Sequence, residues 1–334
     1  MKKLVSILLA ALLVMSCLPL IALADEAPIG YATVSITDNG DRDYLMAMGE
    51  LDEDEIEYAE PFGVIVPATQ VPVYAGETAA SVLARLFDMN GITYNCWGTP
   101  DDGGFYLTDI TFTKDGETVA NFGEGSITPD NESMYYFSGW MVKYNNWFTS
   151  SGIGNYQADD GDIIELLYTC GMGADIGNNF YDATAAFTGL TASAGTLSPA
   201  FSADVKEYTL TVDENTDSVK LGAENKNYGS VVTYSVGEVT YKYMRAIPVT
   251  NGTVIVINSK FYSSDYNTGE TTLVDEDEIT VTVVKPEPAT EAPTEAPGGS
   301  KTILDYVTEV WNMFYNFFSQ LWARLAAFFG KLFS

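Results

Sequence analysis

The side chains that could do chemistry in this chain are carboxylates, aromatic rings and three thiols, one of them Cys17 near the start; there is no histidine in its 334 residues. Without imidazole there is no Ser-His-Asp or Cys-His triad, no histidine metal ligand, and none of the commonest general base. No Gly-x-Ser-x-Gly, Walker loop or Cys-x-x-Cys occurs either. Carboxylates are abundant, so a glycosidase-like pair stays open on composition, with nothing in the sequence to single one out. The acidic run Glu50, Asp52, Glu53, Asp54, Glu55, Glu57, Glu60 lacks the Asp-x-Asp-x-Asp-Gly pattern that preorganises calcium ligands, and reads as a solvated loop. Asp159, Asp160 and Asp162 read as a hairpin turn, and Asp275 to Glu278 the same way. No metal site is assigned. The balance favours binding over catalysis.

Aromatic residues are the better candidates for a site. Trp140, Tyr144, Trp147, Phe148 and Tyr156 fall in one stretch, and Trp97 can join them. Such faces bind corrins, sugars and peptides by burying area at little entropic cost. Strand alternation sends some of them inward; Trp140 is expected in the core, with Tyr144 and Trp147 at the surface. Cys96 and Cys170 either pair as one disulfide in an oxidising compartment or remain as two buried thiols.

Several elements position these residues. Lys2, Lys3, the apolar run Leu4–Leu13 and Ala22-Leu23-Ala24 read as a secretory signal over 1–24, with lipidation at Cys17 as a variant. Its removal takes away two of 16 basic residues and none of 46 acidic ones, moving the formal net charge from −30 to −32. A field of that sign repels nucleic acid and anionic surfaces. The expected localisation is secreted and associated with the cell surface. Ala79, Val82, Leu83, Leu86 and Phe87 make a helical stripe capped by Thr78 and stopped by Gly91. Tyr31–Ile36, Val71-Pro72-Val73, Ile92-Thr93-Tyr94, Trp140–Tyr144 and Ile163–Tyr168 read as strands.

The order of these segments carries a resemblance. "AGETAASVLARL", "NGITY" and "SGWMVKYNNWFTSSGIGNYQADDGDIIELLYT" are similar to the C-terminal β-domain of transcobalamin-like proteins, a small domain that recurs in bacterial surface proteins. The resemblance covers residues 30–172 and implies a β-grasp-like domain, taken here as 25–180, with insertions at 38–60 and 99–133. Asn145-Asn146 stands where such domains often carry an Asn-Gly turn. The helical barrel of true transcobalamins is absent, so no cofactor follows; a corrinoid is one implied ligand class beside a glycan or a surface peptide. "LTASAGTLSPAFSADVKEYTLTVDENTDSVKL" resembles the cadherin-like β-sandwich of bacterial surface proteins, over 183–284. Tyr208, Leu210 and Val212 alternate with Thr209 and Thr211 as a half-buried strand requires.

Residues 285–300 form a Pro/Thr/Glu linker that stays extended. Beyond it, 301–334 reads as an amphipathic helix with Trp311, Phe314, Phe318, Trp322, Phe329 and Phe333 on a wide apolar face. That face suits a membrane surface or a second copy or partner. The expected fold is mainly β with one helix in the first domain: a β-grasp-like α+β domain, an all-β sandwich, a stalk and a terminal helix. The expected function is that of a surface-associated binding protein. The alternative is an assembly protein in which the β-domains are spacers.

Overall fold

The computed structural model describes residues 27–43, 61–125, 138–149, 151–179, 182–264, 268 and 270–286. The acidic run at 50–60, the signal segment, most of the linker and the helix proposed for 301–334 lie outside the described residues. So do Trp311, Phe314, Phe318, Trp322, Phe329 and Phe333. Among the described residues the chain is mainly β, with one α-helix assigned in full.

The first module is built on a five-stranded sheet with order β2-β1-β8-β6-β7, where β1 is Gly30–Asp38, β2 Gly63–Val73, β6 Gly139–Tyr144, β7 Trp147–Phe148 and β8 Ile163–Thr169. β1 runs parallel to β8, and the other pairs are antiparallel. Two central parallel strands flanked by hairpins give the β-grasp arrangement. Along β1, Ala32, Val34 and Ile36 face the core while Tyr31, Thr33 and Ser35 face out. A period of two selects that choice. β2 extends well beyond the expected Val71–Val73. Pro67 and Pro72 hide it in the sequence, yet an edge strand tolerates proline because its outer N–H groups need no partner.

Helix α1, Ala79–Asn90, packs Val82, Leu83, Leu86 and Phe87 into the core. Thr78 accepts a hydrogen bond from the Ser81 N–H, and Gly91 ends the helix at φ 64°. A second sheet, β3-β4-β5 (Thr93–Trp97, Tyr106–Lys114, Glu117–Gly123), closes the same core with Ile110, Phe112, Val119 and Phe122. The stretch read as an insertion from 99 is therefore, up to residue 125, part of the core-forming architecture.

The second module is a β-sandwich. Its larger sheet has order β10-β11-β18-β17-β14-β15, from Thr196–Ser198, Glu207–Thr211, Thr271–Val284, Val254–Ser264, Val231–Val236 and Val239–Tyr241. Pairs β9–β13 (Phe187–Ala192 with Leu221–Asn225) and β12–β16 (Ser218–Val219 with Ile247–Pro248) complete it. Leu190, Leu221 and Ile247 share one core with Leu210, Ile257 and Val281. Asp275 to Glu278, expected as a turn, lie within β18. Their carboxylates are accommodated along the strand: Asp277 pairs with Lys206 at 2.6 Å, and Asp275 accepts the Ala185 N–H at 2.8 Å.

Candidate ligand-binding site

An apolar cleft of about 320 Å³ opens between the start of β4, the middle of β6, Thr149 and the segment 151–153. Phe105, Leu107, Trp140, Val142, Ile153 and Leu166 supply its apolar walls. The two-residue turn after β6 sets the parity of that wall. Asn145 and Asn146 both take left-handed backbone, φ 50° and 69°, as a tight hairpin turn requires, although the second is not the glycine that the resembled domains often carry there. Trp140, Val142 and Tyr144 then face inward together. The Trp140 indole N–H donates to the Phe122 carbonyl at 2.8 Å, and its ring meets Tyr168 edge-on at 5.0 Å, so the wall is fixed.

Glycines let the opposite wall form. A Cβ on Gly154 would stand 1.8 Å from the Asp102 carbonyl oxygen, and one on Gly152 2.6 Å from that of Phe105. The Asp102 carboxylate accepts the Gly104 N–H at 2.7 Å and the Thr99 N–H at 3.2 Å. These bonds hold its pKa below the usual carboxylate range. Among the described residues of the lining the polar side chains are the hydroxyls of Tyr106, Thr149 and Ser151 and the already bonded indole N–H of Trp140, with no carboxylate and no amine. Such a lining holds an apolar group and orients it with a few hydrogen bonds.

The aromatic residues expected to bind ligand divide three ways. Tyr144 is 4% exposed and Phe148 3%, so neither is at the surface, contrary to the expected exposure of Tyr144. The Tyr144 hydroxyl donates to Asp162 at 2.6 Å and lies 3.1 Å from the Gln157 carbonyl. Burial, then Asp162, pushes its pKa well above the ordinary tyrosine range. Trp147 and Tyr156 are half-buried; Tyr156 contacts Tyr144 at 5.5 Å and Trp147 at 6.0 Å between ring centres. Trp97 lies elsewhere, on β3, 67% exposed and paired with Tyr106. Trp140 alone among the aromatics of that stretch lines the cleft. Phe105 and Leu107, which sequence reading passed over, had only a Gly-Gly turn before an alternating strand as their signal.

The Tyr144 cluster instead belongs to a joint between the two modules. Asp162 is fully buried and takes Asn145 Nδ2 at 2.8 Å, the Asp159 N–H at 2.7 Å, and Arg245 and Lys242 of the sandwich. Asn146 reaches the Ala223 carbonyl at 3.2 Å, and the Phe148 N–H donates to the Tyr228 carbonyl at 2.7 Å. Glu224 accepts the hydroxyls of Tyr228 at 2.9 Å and Tyr243 at 2.8 Å. The Asp-Asp-Gly-Asp segment is thus a turn, as expected, but its last carboxylate is an ion-pair centre. Among the described residues no group of three His, Cys, Asp or Glu is placed to hold a metal ion.

Cys96 and Cys170 are both free, so the disulfide alternative is corrected to two separate thiols. Cys96 sits on β3 with its sulfur 3.6 Å from the Gly98 carbonyl. Cys170 follows β8 beneath Arg42, whose guanidinium contacts it at 3.2 Å and pairs with buried Asp38 at 2.8 Å. The two belong to different sheets of the core. Burial outweighs the Arg42 charge and pushes the Cys170 thiol up to about 12.

No helix among the described residues is long and apolar enough to cross a membrane. A comparison with curated proteins finds no match. Among solved structures, the chain is similar to haptocorrin, in a crystal structure with Cbi, at 16% identity and a TM-score of 0.21. The match covers 44% of this chain and 27% of that one, so the chain spans about a quarter of haptocorrin's length. A likeness that weak carries no argument about the first module. Residues 187–286, the second module, match the model of the cadherin-like beta sandwich domain.

Proposed function

We propose that this is a secreted, cell-surface-associated binding protein whose first module holds a small, largely apolar ligand or the apolar side chain of a surface peptide. The observation that carries this reading is the cleft between β4, β6, Thr149 and the segment 151–153. Its volume of about 320 Å³ lies at the lower end for small-ligand sites. A corrinoid or a long glycan would set only an edge in it. A large apolar side chain buried there contributes about 1.5–3 kcal/mol, so tight attachment needs several copies acting together. Binding rather than turnover is supported by a lining whose polar side chains, the bonded indole aside, are hydroxyls, in a chain without histidine. The cadherin-like module serves as a spacer, and the amphipathic 301–334 segment tethers the protein to a membrane surface or a second copy.

The test is a titration of the full chain with the neutral apolar fluorophore N-phenyl-1-naphthylamine. Saturable enhancement is expected, and Ser151→Trp, which fills the cleft from the exposed loop, abolishes it. Enhancement that survives Ser151→Trp, or none in the parent chain, removes the reading. Parallel titrations with cobalamin and a cobinamide report whether any corrinoid competes for the same site.

A further inference from the structure

We propose that the outer face of the β3-β4-β5 sheet is a second binding site, for a neutral oligosaccharide. β3 exposes Thr93, Asn95 and Trp97 on one face while Tyr94 and Cys96 pack inward. Trp97 stands opposite Tyr106, Asn95 opposite Asp109, and Thr93 opposite Thr111. The face therefore has an aromatic end and a polar continuation.

The aromatic end is open to solvent. Trp97 is 67% exposed and Tyr106 45%, although residues this large are mostly buried on average. Their rings lie 5.3 Å apart and tilted by 30°, a splayed platform broader than either ring alone. The Tyr106 hydroxyl is 3.5 Å from the Glu124 carboxylate, which pins the outer edge of the platform. Beside it the Asn95 amide donates to the Asp109 carboxylate at 2.7 Å, presenting two planar polar groups in one orientation. The Thr108 hydroxyl donates to the other Asp109 oxygen at 2.9 Å.

This layout matches the two chemistries of a pyranose. Its C–H face stacks on an aromatic ring, and its rim of hydroxyls both donates and accepts. The carboxylates of Asp109 and Glu124 accept without donating and have lone pairs left for sugar hydroxyls. From Trp97 to Thr93 the strand spans about 14 Å at roughly 3.4 Å per residue, enough for a short oligosaccharide. A wholly apolar partner would desolvate Asn95, Asp109 and the threonines without replacing their water. Anionic glycans are repelled by the same carboxylates and by the net charge of −30.

Tyr106 borders both this face and the cleft, so the experiment separates them by Trp97 and Ser151. The full chain is titrated calorimetrically with cellohexaose, chitohexaose and mannohexaose, and with hexagalacturonate as the anionic control. At least one neutral hexasaccharide binds. Trp97→Ala weakens it about tenfold or more, and Trp97→Phe restores most of the loss. Asn95→Ala weakens it without abolishing it, and Ser151→Trp leaves it unchanged. Far-UV circular dichroism checks that Trp97→Ala, a surface change, keeps the fold. The proposal is overturned if none of the neutral sugars binds, if Trp97→Ala has no effect, if hexagalacturonate binds equally well, or if Ser151→Trp blocks the sugar. Only the last of these leaves the cleft occupied, and it moves the saccharide there.

Discussion

Replacing Asp162 by Ala should be among the most damaging single carboxylate changes in the described residues. The carboxylate is fully buried and receives Tyr144, Asn145, the Asp159 N–H, Arg245 and Lys242. Removing one partner of a buried ion pair costs about 3–5 kcal/mol, because the remaining charge keeps its desolvation and loses its counterion. Two features favour the lower end. Lys242 is 40% exposed and keeps Asp159 at 2.7 Å, and Arg245, 18% exposed, regains some water. A loss of about 3 kcal/mol follows, more than a hundredfold in the folding equilibrium. Asp162→Asn keeps the shape but turns an acceptor into a donor facing donors, at about 2 kcal/mol. Because Arg245 and Lys242 belong to the sandwich, the variant also uncouples the modules. Urea unfolding followed by far-UV circular dichroism should change from one transition to two, the first-module step moving to lower urea. An exposed control, Glu214→Ala, stays within about 0.5 kcal/mol. A loss below about 1 kcal/mol with a single transition retained would refute the reasoning, since a solvated carboxylate behaves in that way.

Other outcomes follow from the same structure. Gly154→Ala forces a Cβ against the Asp102 carbonyl and costs about 1–3 kcal/mol, whereas Gly139→Ala, whose Cβ would sit 3.7 Å from its nearest neighbour, costs little; equal urea midpoints would contradict the packing of the two loops. Cys170, with its thiol near 12, resists iodoacetamide at pH 8 in the folded chain and reacts in urea; peptide mapping that finds it alkylated under native conditions, or bridged to Cys96, would count against its placement. Burial raises the pKa of Tyr144, Tyr168 and Tyr243, and pushes Tyr228 up to about 12. The folded chain thus holds protons that the unfolded chain releases near pH 10. Stability is full below about pH 9 and falls as pH rises from there toward the raised folded values. Absorbance at 295 nm should show a late group of tyrosines ionising together with loss of circular dichroism. Ionisation of all tyrosines in one reversible step near pH 10, with the fold intact, would reject it.

Much of the first module was legible locally. The cap at Thr78, the stripe through Phe87 and the stop at Gly91 lie within fourteen residues, and each is set by bonds three or four residues apart. Tyr31 to Ile36 announced β1 because a half-buried strand must alternate. β2 was half hidden, since proline masks an edge strand without preventing it. The site was far less legible. Reading Tyr144 as exposed went against the strand's period of two: Trp140, expected in the core, and Tyr144 lie four residues apart on β6 and share one face. Which face of β6 meets the core rested on its packing against β8.

Composition by itself determined that the chemistry has no imidazole and that the chain carries a formal net charge of −30, and local patterning determined that the described chain is mostly strand with one helix in its first module. The tertiary structure decided what depends on distant partners. Asp162 meets Arg245 across 83 residues, and the cleft closes only where Phe105, Trp140 and Ile153 arrive from three separate segments. Caps, turns and alternation are encoded by neighbours in the chain. Burial of a charge or the shape of a cavity is a property of surfaces that become neighbours only after folding.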